Sequence, residues 1–199
     1  MVRIDYADLK KYKYPPHVIA GLQLFEDKIF DFITDSENGR HEKQYQCLQA
    51  LTDAITKEIG YGGAAGGAKS WTGAEWLMWM SLAFPATRWF IGREELKRLR
   101  DSTLLTFYKV AKHHGVKKDV LFKYKSGNDH HIEFTNGSRI DLLELAELPR
   151  DPLFERYGSS EYTGGWFEEA GEIGLMAYDT LKSRCGEFSR LVRLVALKT

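Results

Sequence analysis

Gly62-Gly63-Ala64-Ala65-Gly66-Gly67-Ala68-Lys69-Ser70 is the stretch from which the rest of the chain is read. It follows the phosphate-loop pattern G-x-x-x-x-G-K-[ST], with Ala68 where the last glycine belongs. Glycine-rich backbone lets several N–H groups from Gly63, Ala64, Ala65, Gly66, Gly67 and Ala68 converge on one anion. The helix expected to start at Lys69 adds the free N–H groups of its first turn, through Trp71, and its positive dipole end. In this pattern the Lys69 ammonium reaches the β/γ-phosphates and the Ser70 hydroxyl ligates Mg²⁺. Ala68 fits without cost if its φ is negative; a positive φ would disfavour alanine there, unless Gly66 and Gly67 carry the turn.

Working outward, the spacing predicts a helix over about 41–57, with Leu48, Leu51 and Ile55 on one stripe. Before it, Ile19, Leu22, Phe25 and Ile29 give a helix through the 17–34 region, and Ser36-Glu37-Asn38-Gly39 reads as a loop. After Ser70 the helical pattern runs to about Ala83, where Pro85 stops it. Arg88–Gly92 suits a buried parallel strand. A long helix follows from Leu96 to near Gly115. His130–Thr135 and Ser138–Leu143, joined by Asn136-Gly137, read as a β-hairpin. A short strand ends at Trp166-Phe167, a helix covers Leu175–Cys185, and Leu191–Leu197 reads as a strand. Strands alternating with helices predict an α/β fold: a mostly parallel sheet flanked by helices. The expected division is a helical extension over 1–40 and one domain over 41–199, excised from a longer protein.

The composition narrows the function. With 43% hydrophobic and 28% charged residues the chain is of ordinary globular type. Twenty-eight basic residues balance 28 acidic ones, so any hold on nucleic acid must come from a local patch or an assembled ring. Cys47 and Cys185 lie too far apart in sequence for a metal-type pair and read as reduced cytosolic thiols. No apolar run approaches the roughly 20 residues that span a membrane, and the expectation is of a chain without a secretory leader.

Three further groups could serve a bound triphosphate. Glu168-Glu169 follow the Trp166-Phe167 strand, which would set both carboxylates at the carboxyl edge of the sheet. Glu168 would assist the metal and Glu169 would activate the attacking water; the plainer reading is an acidic helix start. Gln44 carries a donor and an acceptor able to pair with an adenine edge, or is a surface glutamine. Arg93 and Arg156 could neutralise developing phosphate charge, or be solvated. His113-His114 and His130-His131 read as surface or loop residues, and the tryptophans at 71, 76, 79 and 89 as core.

Taken together, the order of these elements resembles the ATPase domain of the tailed-phage terminase large subunit, from about Gly39 to Thr199. The residues that carry the likeness are Lys43-Gln44, the 62–70 loop, Phe90-Ile91-Gly92-Arg93, Leu99-Arg100-Asp101-Ser102, Asn136-Gly137-Ser138 and Trp166-Phe167-Glu168-Glu169-Ala170. The resemblance implies a P-loop NTPase of the additional-strand catalytic-glutamate type that binds ATP and Mg²⁺ and hydrolyses ATP. It also implies Gln44 on adenine, partners in double-stranded DNA, a portal protein and a small terminase subunit, and a homo-oligomeric ring. The setting would be the cytoplasm of the infected host, at the procapsid, with no nuclease activity expected from this chain. Alternatives are a helicase-like nucleic-acid ATPase, or a nucleotide-binding assembly module with little turnover.

Overall fold

The computed structural model describes residues 42–52, 56–63, 66–127 and 129–186, with Pro16, Ile19 and Gln23. The expected 17–34 helix beyond Ile19 and Gln23, the 36–39 loop, Ala64-Ala65 and the 191–197 strand lie outside the described residues. Helix α1 (Glu42–Thr52) lies within the expected 41–57, residues 53–55 are outside the described residues, and residues 56–63 run to the glycine loop without helix or strand. Helix α2 (Lys69–Ala83) starts where the glycines stop and ends before Pro85. Nine of its residues are buried, Leu77, Met78, Trp79 and Met80 among them, so it is a central helix covered on nearly all sides.

Strand β1 (Arg88–Arg93) follows, with four consecutive buried residues. Such a run fits a strand with a parallel neighbour on each side and both faces covered. Next, α3 (Leu96–Arg98) passes through a π-helical turn at Leu99–Thr103 into α4 (Leu104–His113). The expected long helix is therefore present, with the Leu104 N–H bonded back to the Leu99 carbonyl. Strand β2 (Phe122–Ser126) was not expected, although Phe122 and Tyr124 alternate with Lys123 and Lys125. The hairpin appears as β3 (His130–Phe134) and β4 (Arg139–Glu144). Its Asn136 is anchored to α2, donating to the carbonyls of Ser81 and Leu82 at 2.8 and 3.1 Å. Strand β5 (Gly164–Phe167) and helix α5 (Leu175–Ser183) complete the described strands and α-helices, with short 3-10 turns at Glu155–Tyr157 and Ala170–Glu172.

The strand order is β2-β3-β4-β1-β5. β1 runs parallel to β4 and to β5, whereas β2-β3 and β3-β4 are antiparallel. The mostly parallel sheet is thus only partly realised: the Asn136-Gly137 turn reverses the chain, and an antiparallel pair extends one side. The core lies on both faces. Trp89 and Ile91 of β1 join Leu77, Met78 and Phe107 beneath α2 and α4, while Phe90 joins Tyr162, Ala177 and Leu181 beneath α5.

The two glycines of β5 look like a strand defect until the sheet is assembled. Register sets Trp89 opposite Gly164 and Phe90 opposite Gly165. The Phe90 ring lies 2.2 Å from where a Cβ on Gly165 would be, so an aromatic ring fills the place of the missing side chain. On the helix side, the Trp166 ring lies 2.6 Å from a Cβ built on Gly73 of α2. Both glycines allow α2, β5 and β1 to approach closely, and that approach positions the residues at the ends of these elements.

Candidate functional site

The parallel strands point their carboxyl ends one way. The Glu168 N–H donates to the Gly92 carbonyl at 2.8 Å, and the Leu145 N–H to the Arg93 carbonyl at 2.8 Å, so the ends of β1, β4 and β5 share one edge. The amino end of α2 meets that edge. The Ser70 hydroxyl donates to Glu168 Oε1 at 2.6 Å, across 98 residues of sequence. Lys69 Nζ donates to the Gly63 carbonyl at 2.9 Å and so bridges the two ends of the glycine loop.

The loop is built on left-handed backbone. Gly66 has φ 84° and Ala68 has φ 54° with ψ 23°. The glycines upstream therefore do not relieve Ala68, which holds a conformation an L side chain resists. What holds it is the start of α2: its carbonyl accepts the Thr72 N–H at 2.9 Å and the Thr72 hydroxyl at 3.1 Å. Ala68→Gly should stabilise the protein by about 1 kcal/mol, a Tm rise of about 2–4 °C in thermal melts.

Glu168 is buried at 6% exposure. Burial pushes its carboxyl above the usual range; the Ser70 hydrogen bond opposes that, the Glu169 charge adds to it, and the Arg93 and Lys69 charges oppose it. Because the folded state holds this proton more tightly than the unfolded chain does, ionising Glu168 as pH rises costs stability. Glu169 is exposed, sits at φ 50°, and makes no side-chain hydrogen bond or ion pair among the described residues. Two non-glycine residues in left-handed backbone thus flank the Ser70–Glu168 contact; Ala86, Asp119 and Phe154 adopt the same conformation elsewhere.

The remaining expected residues divide. Arg93 stays at the edge: its Nη1 donates to the Ser102 hydroxyl of the π-helical turn at 3.0 Å, and its Nε lies 3.8 Å from Glu172. Arg156 is engaged elsewhere. It pairs with Asp151 at 2.6 Å, donates to the carbonyls of Glu144 and Ala146, and lies against the rings of Phe154 and Tyr157. It braces the loop after β4 and does not line the cleft described below. Gln44 is buried at 7%, with its amide 3.5 Å from the Thr72 hydroxyl. Trp71 meets the His113 ring edge-on at 5.4 Å; neither Gln44 nor Trp71 lines the cleft.

That cleft, about 1100 Å³, runs between residues 56–63, α2, β5 and α5, and takes in Lys69, Glu168 and Glu169. Sequence reasoning missed its far wall. Glu58, in the segment entering the loop, pairs with Lys182 at 2.5 Å and accepts from the Tyr178 hydroxyl at 2.8 Å, tying α5 to the loop's approach. It also missed Tyr61, whose hydroxyl donates to the Gly67 carbonyl at 3.3 Å and clasps the loop. Only the position of Tyr61, directly before the glycines, could have suggested it. The donor set suits a hard cation: a hydroxyl and a carboxylate 2.6 Å apart are oxygen ligands of the kind Mg²⁺ takes with phosphates. No three His, Cys, Asp or Glu side chains gather as a ligand set among the described residues. No helix among them is long and apolar enough to cross a membrane.

No protein-family model matches the chain, and no curated protein matches it. Among solved structures, the large terminase of a thermophilic bacteriophage is similar in two determinations. One matches at TM-score 0.50 and 16% identity, over 72% of this chain and 34% of the terminase. The other, a complex with ADP, matches at TM-score 0.49 and 16% identity, over 72% and 35%. The chain therefore aligns with about a third of that protein's length, and at this identity the likeness is one of fold. The fold of this chain, a mixed α/β sheet flanked by helices, is the one found in the matched third of a bacteriophage large terminase.

Proposed function

We propose that this chain is the ATP-binding and ATP-hydrolysing domain of a viral terminase large subunit, which powers packaging of double-stranded DNA into a procapsid. One observation carries the chemistry: Ser70 at the amino end of the loop helix hydrogen-bonds Glu168 at the carboxyl end of a strand, at 2.6 Å. Nothing local in the sequence requires that contact. It is the arrangement in which a hydroxyl and a carboxylate hold one Mg²⁺ beside a triphosphate.

Lys69 would leave the Gly63 carbonyl for the β/γ-phosphates. Glu169 would accept the proton of a water attacking the γ-phosphorus as the bond to the β-phosphate oxygen breaks, releasing ADP and phosphate. Mg²⁺ held by Ser70 and Glu168 would neutralise phosphate charge. Arg93, at the same edge though outside the cleft lining, would supply further positive charge on leaving Ser102 and Glu172, and Arg156 is committed to Asp151 and two carbonyls. The DNA, portal and small-subunit partners and the ring rest on the order of sequence motifs and on the shared fold.

The test is a thermal melt. ATP with Mg²⁺ should stabilise the protein by about 2.7 kcal/mol at a hundredfold excess over Kd. Lys69→Ala should lose that protection while melting normally without nucleotide. Unchanged protection in the variant would remove the loop from the site.

A further inference from the structure

We propose that Glu75 and His114 form a positioning pair that sets the phosphate-loop helix for nucleotide binding; the proposal rests on the nucleotide-binding reading above. His113-His114 reads from sequence as a surface pair, because neighbouring residues on a helix do not share a face. The structure corrects this. His114 caps α4 outside helical geometry, at φ −87° and ψ 4°, and its ring turns inward. Its side chain is 2% exposed, that of Glu75 is 0% exposed, and Nε2 lies 2.5 Å from Oε1. Neither carboxylate oxygen nor either ring nitrogen has a hydrogen-bond partner of good angle among the described residues. Each side chain therefore has the other as its polar neighbour in an apolar core.

The pair belongs to a longer contact. Trp71, Glu75 and Trp79 are spaced by four along α2 and form one stripe. Against it lie His113, 5.4 Å from the Trp71 ring, and His114, 5.4 Å from the Trp79 ring. The stripe begins one residue after Ser70, so the end of α4 grips the turn that carries Lys69 and Ser70.

Stability does not account for polar groups here. Two apolar side chains of similar size hold a pair of helices at least as well as a buried ion pair, whose desolvation can exceed its attraction. A buried polar pair differs in what it demands of the helix. Apolar burial is non-directional and lets a helix slide or turn, whereas a buried carboxylate and imidazole 2.5 Å apart confine the helix to settings that keep the two groups within reach of each other. Glu75 lies five residues from Ser70, about 7.5 Å along the axis at about 1.5 Å per residue. Gly73, against the Trp166 ring, fixes the other flank. Displacement of a reacting geometry by about 1 Å costs about a hundredfold, so the setting of α2 matters most at Ser70 and Lys69.

The experiment compares ATP·Mg²⁺ affinity, by calorimetry, in the whole chain and three variants. Glu75→Leu combined with His114→Leu removes the polar contact and keeps the packing. It should melt no lower than the wild type yet bind ATP about tenfold more weakly, as a less preorganised site does. Glu75→Gln keeps an acceptor at the same place and should bind within about threefold of the wild type, as a positioning role requires. Glu75→Met, similar in shape but without an acceptor, should bind as weakly as the leucine pair, and it decides the matter if that pair does not fold. Equal affinity in wild type, Glu75→Gln and either apolar variant overturns the proposal. A wild type that binds no ATP sinks the nucleotide reading itself, and this proposal with it.

Discussion

Glu169→Gln should slow phosphate release by about 10²–10⁴-fold while leaving ATP binding within about twofold, because general-base assistance contributes on that order. The two adjacent glutamates are not equivalent. Glu168 is buried, hydrogen-bonded to Ser70 and pushed up in pKa by its burial. Glu169 is exposed to the cleft and has no side-chain partner among the described residues. A carboxylate left free beside a buried one is the group available to take a proton. An amide of the same shape cannot take it, yet it disturbs neither the Ser70–Glu168 contact nor the loop. Single-turnover phosphate release with saturating ATP and Mg²⁺ measures the effect. If the wild type, concentrated enough to assemble, releases no phosphate, the domain is a nucleotide-binding module instead, and the strained Ala68 at φ 54° gives a reason for low turnover.

Gly165→Ala should be the most damaging small substitution in the sheet, costing about 3 kcal/mol, at the upper end for overpacking. A Cβ there falls 2.2 Å from Phe90 Cε1 and 2.3 Å from Cζ. The ring has no room to yield: Phe90 is 0% exposed, with Tyr162 and Phe167 rings edge-on at 5.0 and 5.2 Å. The strand must move instead, and Glu168 lies three residues along it. Chemical denaturation should show the loss of stability, and Mg²⁺-dependent protection by ATP should fall with it. Gly73→Ala meets the Trp166 ring at 2.6 Å and is expected to be milder, because Trp166 is only partly buried. If Gly165→Ala left both stability and nucleotide protection unchanged, close packing of β5 on β1 would not be what holds Glu168 in place.

The local elements were legible because their signals are local. Glycine followed by Lys69-Ser70 marks a helix start, Pro85 marks its stop, and Asn136-Gly137 marks a hairpin. The β5 strand was read despite two glycines that argue against it, from the apolar Trp166-Phe167 at its end. β2 was missed because its alternation, Phe122 and Tyr124 against Lys123 and Lys125, has only two apolar positions and is too short to stand out from a loop. The π-helical turn has no composition that distinguishes it from α-helix. Arg156 and His114 were misjudged for one reason: their positions in sequence are those of available surface groups, and only packing shows them occupied.

Read along the chain, the chemical groups and their order are already plain: a glycine-rich loop ending in Lys69 and Ser70, then two adjacent carboxylates. Which of them meet is a matter of packing. Ser70 touches Glu168 because glycine at 73 and 165 lets helix and strands close to ring contact, and because parallel pairing aligns the ends of β1 and β5. Those are steric and hydrogen-bonding terms between residues far apart in the chain, which no local pattern contains.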